Sequence, residues 1–319
     1  SQELSCWIYP DRKLAMPSSV RIGVFDPAGQ TTDVLGDPAS GDVANIDEVT
    51  QASLAGLQAL IIGELAPSIP NQGRDAVLEF VESGGKVMIL RQAGSTGLDL
   101  VPVEGLKRKR DISHTHTFVR AAGHPLLSGV TDAALKLWLD DHVVSTDILH
   151  KHHGDNFLPI IDAGGASGSG LAFSPMAEIR CGKGSYVLCQ MRLTDASARQ
   201  PGARMIFQNL LNYASTPLPE MKPAGTLLAE DSPVRSLLDD LGVKTIDLRG
   251  GKAFKGVGTI VVDDTEIAGC AKQLRDFANA GGNVLVKRLT LENREAFTDL
   301  LGDKISVVAD TQTFRPIQA

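Results

Sequence analysis

The chain has 319 residues, 43% of them apolar, and a formal net charge of −7. That is enough material for two ordinary hydrophobic cores, and the charge has the wrong sign for a nucleic-acid surface. No apolar stretch nears the roughly 20 residues that span a bilayer, no secretory leader opens the sequence, and the short basic run Lys107 to Arg110 reads as a solvated loop, so neither nucleic acid nor membrane is an expected partner.

In chain order, Cys6-Trp7-Ile8-Tyr9-Pro10 reads as a lone strand within a leading segment, residues 1–17. Together with Ser1 in place of Met, it suggests the end of a preceding module and a chain cut from something longer. Val20 to Phe25, Ala59 to Gly63 and Lys86 to Leu90 are near-continuous apolar strands separated by helical sequence, the pattern a parallel sheet covered on both faces demands. Residues 101 to 149 are irregular. Gly170 to Phe173 and Ser185 to Met191 read as paired strands joined through Gly182-Lys183-Gly184, and a helix over Ala203 to Ala214 closes the domain with an apolar face.

Three prolines between Thr216 and Pro223 oppose both helix and central strand, so 217–224 is the expected linker between a domain at 18–216 and a smaller one at 225–319. The second domain reads as strand 226–228, helix 233–241, strand 244–248 and strand 259–262, and then a repeat. Val77 to Leu90, with its Phe80 and Gly84-Gly85, returns 197 residues later as Leu274 to Lys287, with Phe277 and Gly281-Gly282. Each copy is the end of an amphipathic helix, a Gly-Gly stop and an apolar strand. The expected fold class is α/β: two flavodoxin-like three-layer sandwiches in tandem with mostly parallel sheets, the second copy smaller.

Few residues announce chemistry. The four cysteines (Cys6, Cys181, Cys189, Cys270) lack CxxC spacing and read as free thiols. All seven histidines lie between 114 and 153, in His114-x-His116, His124, His142, His150 and His152-His153, without a recognised ligand frame, so a polar surface is expected rather than a metal site. In Trp138-Leu139-Asp140-Asp141-His142 an indole stands beside two carboxylates, the combination that stacks on a sugar and accepts its hydroxyl protons. The competing expectation is that Trp138 packs in the core. Trp138, Asp140, Asp141 and His142, with Arg91 and Gln92 at the end of the third strand, are the candidate carbohydrate-contacting residues. Asp140, Asp141, Glu64 and Glu178 qualify by type alone as paired carboxylates for glycoside hydrolysis.

The ordered set of Phe80 to Val87, His124-Pro125-Leu126-Leu127-Ser128-Gly129-Val130, Gly182 to Val187, Pro201 and Phe207 to Tyr213 resembles the glutamine-amidotransferase-like superfamily, in particular ThuA-like and β-galactosidase trimerisation-type domains, over residues 20 to 215. The resemblance implies a nucleophilic cysteine on a tight Gly-x-Cys-x-Gly elbow after a strand. Here Ile89-Leu90-Arg91-Gln92-Ala93-Gly94-Ser95 holds no cysteine, and Ser95 lacks the Gly-x-Ser-x-Gly frame. It also implies an accessory role in a bacterial glycoside hydrolase. The expectation is a non-catalytic assembly or substrate-region part of a multidomain carbohydrate-active enzyme, without a cofactor. Its partners would be a catalytic domain of the same polypeptide or complex, a carbohydrate, or further copies of itself. The location would be periplasmic or extracellular if the parent enzyme is secreted, and otherwise cytoplasmic. An independent hydrolase and a stand-alone sugar-binding module are the alternatives.

Overall fold

The computed structural model describes residues 14–18, 20–35, 43–93, 96–110, 113–136, 138–154, 156–164, 170–197 and 199–304. The expected strand at 6–10 and Ser95 lie outside them. The chain divides into two compact units, Ser1–Leu218 and Pro219–Ala319.

The first unit begins β1 (Ile22–Phe25), α1 (Gln30–Leu35), β2 (Val43–Asn45), α2 (Gln51–Leu54), β3 (Ala59–Ile62), α3 (Asn71–Glu82) and β4 (Lys86–Ile89). The irregular middle holds β5 (Arg108–Lys109), β6 (Thr117–Val119) and β7 (Ile148–His150), and the unit closes with β8 (Phe157–Ala163), β9 (Phe173–Cys181), β10 (Gly184–Cys189), α4 (Leu193–Ser197) and α5 (Pro201–Tyr213). Five strands run parallel in the order β2-β1-β3-β4-β10, and β9, β7 and β5 extend the sheet antiparallel, with β8 paired to β9 and β6 to β8.

Alternate residues of the parallel strands feed two cores. Ile22, Val24, Ile61, Met88 and Val187 face Ile206, Phe207, Leu210 and Leu211 of α5. Leu60, Ile62, Val87, Ile89 and Leu188 face Leu54 of α2 and Ala76, Val77 and Val81 of α3. Because both faces of a central strand are covered, nearly all its residues are apolar, which is why these strands read as near-continuous apolar runs. One correction concerns the hairpin before α5: the partner of β10 begins at Phe173, where the expected strand ended, and runs to Cys181. Another concerns the basic run, in which Arg108 is half-buried and reaches Gln190 Oε1 at 3.3 Å.

The second unit is β11 (Ala224–Leu227), α6 (Pro233–Asp240), β12 (Thr245–Asp247), β13 (Thr259–Val262), α7 (Ile267–Asn279), β14 (Asn283–Val286) and α8 (Arg294–Leu301). Its sheet is parallel in the order β12-β11-β13-β14, the same winding as β2-β1-β3-β4. Ile260, Val262 and Leu274 are fully buried, and Phe277, Val284 and Val286 pack against them.

The repeated passage has one physical reason in both units. The Gly85 N–H donates to Phe80 O at 2.9 Å and the Gly282 N–H to Phe277 O at 3.0 Å. A Cβ at Gly85 would lie 2.3 Å from the Phe80 ring, and one at Gly282 would lie 2.2 Å from that of Phe277. The helix therefore turns into the strand beneath its own phenylalanine, and only glycine leaves room for the ring. No helix among the described residues is long and apolar enough to cross a membrane.

Candidate functional site

In the order β2-β1-β3-β4-β10 the winding reverses between β1 and β3, so the chain leaves their C-terminal ends toward opposite faces, the place where open α/β sheets bind ligands. The polar residues of the first unit gather at this edge. Asp26 follows β1, and its Oδ2 accepts from the N–H groups of Thr31 and Thr32, both at 2.8 Å, serving amides that the first turn of α1 cannot pair internally. Thr31 Oγ1 accepts from the Glu64 N–H at 2.9 Å, which stitches the end of β1 to the end of β3. Gly63 is required between them, because a Cβ there would fall 2.4 Å from Asp26 Oδ1.

Glu64 is 1% exposed. Its Oε1 accepts from Arg91 Nε at 2.5 Å, whereas Oε2 has no partner. Burial pushes this carboxyl up to about 7 against the pull of Arg91. The next residue, Leu65, has φ +56°, a left-handed conformation that costs a branched side chain strain and turns it outward at the corner.

Arg91 leans on toward Asp195, which Arg192 also approaches, and Arg192 Nη1 donates to Asp141 at 2.7 Å. Beside them Gln92 donates from Nε2 to Gly63 O at 2.6 Å and to Leu90 O at 2.9 Å, leaving its Oε1 buried without a donor. A chain of alternating charge, Asp141, Arg192, Asp195, Arg91 and Glu64, thus runs from solvent to the buried end of β3.

Of the residues named from sequence, Glu64, Arg91, Gln92 and Asp141 belong to this cluster. Trp138 does not: it is 0% exposed in the core and offers no face to a sugar, so packing, not stacking, accounts for it. Asp140 is exposed and pairs with Arg199 at 3.2 Å, and His142 is exposed with φ +59°. Sequence reasoning missed Asp26, Gln190, Arg192 and Asp195. Their signal was position alone, since each lies within a few residues past the C-terminal end of a parallel strand.

Glu178, named by type, is a second buried carboxylate in a different setting. Tyr213 donates to Oε1 at 2.6 Å and His124 Nε2 lies 3.1 Å from Oε2; since Leu126 N–H donates to His124 Nδ1, the proton sits on Nε2. Burial pushes Glu178 up, but the donors His124 and Tyr213 outweigh it and hold the carboxyl below its ordinary range. Two buried glutamates therefore titrate in opposite directions because one has two donors and the other has one. The histidines do not converge, and among the described residues no group of three or more His, Cys, Asp and Glu is placed to hold a metal ion. A groove of about 620 Å³ lies at the other end of the sheet, between Gln58, Glu79, Lys183 and Thr216, away from the charged cluster.

No family model matches the chain, and no curated protein matches it in sequence. Several solved structures resemble part of it. A ThuA-like protein from Bacteroides uniformis aligns at 10% identity and TM-score 0.40, covering 63% of this chain and 94% of that one. An IFT52 N-terminal domain aligns at 11% and 0.40, covering 63% and 100%. A β-galactosidase from Rahnella sp. R3 aligns at 15% and 0.36, covering 64% of this chain and 33% of its own. They assign no residue a role.

Proposed function

We infer that this chain is a non-catalytic part of a carbohydrate-active protein, in which the amidotransferase-like unit serves assembly or the surroundings of a substrate rather than bond cleavage. One observation carries the reading. The stretch after β4, where the resemblance would put a nucleophilic cysteine, runs Arg91-Gln92-Ala93 and holds none, and the strained corner after β3 presents Leu65 beside a carboxylate tied down by Arg91. The resemblance in sequence to domains that accompany glycoside hydrolases supplies the carbohydrate context, and a catalytic domain of the same polypeptide or complex is the partner this role requires.

A panel of nitrophenyl glycosides, nitrophenyl esters and glutamine tests it, with no turnover as the expected result. One feature favours an independent hydrolase instead: the Glu64 carboxyl near 7 has the protonation of a general acid. Turnover that disappears in Glu64→Gln, or on substitution of Asp141, would replace the first reading by the second.

A further inference from the structure

The charged chain at the strand ends has an uneven joint. Arg91 Nη2 and Arg192 Nε approach the same oxygen, Asp195 Oδ2, at 3.4 and 3.5 Å, well beyond the 2.7–2.9 Å of a good charge-assisted bond. Each guanidinium keeps a tighter partner elsewhere, Glu64 at 2.5 Å and Asp141 at 2.7 Å. Asp195 is 42% exposed, on a helix of five residues, whereas the arginine side chains are 16% and 19% exposed and come from the ends of two different strands. The cations are therefore fixed by the sheet and the anion between them is loosely held. Behind them Glu64 Oε2 and Gln92 Oε1 are buried acceptors without a donor, and an orphaned acceptor is costly until a hydroxyl or water serves it.

We propose that Arg91 and Arg192 form a clamp for the carboxylate of an acidic sugar, with the Asp195 carboxylate standing in the position the ligand takes. The ligand's hydroxyls, or waters they carry, serve the acceptors beneath. The charge of the ligand rests on the arginines; its being a sugar rests on the function proposed above.

Titration calorimetry at low ionic strength tests the clamp on the whole chain, using galacturonate, galactose, acetate and inorganic phosphate as probes. Galacturonate should bind at least tenfold tighter than galactose. Asp195→Asn, which weakens the stand-in, should tighten galacturonate about threefold or more, and Arg192→Gln should weaken it about tenfold. Should Arg192→Gln fail to fold, the Asp195→Asn arm decides. Equal binding of galactose and galacturonate, or an unchanged affinity in Asp195→Asn, overturns the clamp, and phosphate binding tighter than galacturonate overturns the carboxylate. Acetate binding as tightly as galacturonate keeps the clamp and overturns the sugar, and with it the carbohydrate reading.

Discussion

Arg91 donates to Glu64 at 2.5 Å, and the same bond recurs in the second unit, where Arg288 donates to Asp264 at 2.7 Å. In both sheets the carboxylate stands two residues past the end of the third strand and the arginine two past the fourth, set opposite by the registers Ile62↔Ile89 and Val262↔Val286. Their settings differ. Arg91 is 16% exposed and Arg288 65%, so water screens the second pair and only the first is costly to charge.

Glu64 should therefore make stability fall with pH over a defined window. Its folded value, about 7, lies above the ordinary 4.5, so between these values the folded chain keeps a proton that the unfolded chain has lost, and stability declines as pH rises. Thermal melts of the wild type and Glu64→Gln at pH 5 and 8 should show the variant gaining about 3 kcal/mol on the wild type across that range. A constant difference would mean the carboxyl titrates normally.

Lys86 should behave as a buried cap on α5. Its Nζ donates to the carbonyls of Tyr213, Ala214 and Thr216, at the helix end where the dipole favours a cation. Lys86→Met leaves those carbonyls without a donor and should cost about 2–4 kcal/mol in denaturant unfolding. Burial holds the Lys86 amine down at about 8, so from pH 8 to 10.5 the unfolded chain binds the extra proton, and the wild type should gain on Lys86→Met as pH rises.

Gly85→Ala and Gly282→Ala should each destabilise their own unit by about 1–3 kcal/mol, because the new methyl meets the ring of Phe80 or Phe277. Phe80→Leu should recover part of the loss in Gly85→Ala, a coupling that a double-mutant cycle measures directly. Additive effects would show that the ring is not the obstacle.

Trp138→Ala should cost about 3–5 kcal/mol of stability, as expected for truncating a tryptophan that is 0% exposed. A melting temperature close to that of the wild type would contradict the packing described for it.

The apolar strands, the Phe-x-x-x-Gly-Gly turns and the α/β class were legible because they are local: each follows from a few consecutive residues and the burial of both strand faces. The starts and stops of β3, β4 and β13 were read to within a residue for that reason. The irregular span from 101 to 149 was not, since its short strands exist only through pairing with distant residues, β5 with β7, β6 with β8 and β7 with β9. The site lay beyond local reading for the same cause. Trp138 beside two aspartates looked like a sugar platform, yet whether an indole faces core or solvent is decided by what packs over it. Glu64, Arg91, Arg192 and Asp195 carry no motif, and they become one network only because the strand order brings three strand ends to one edge, where burial then decides which carboxylate is held neutral.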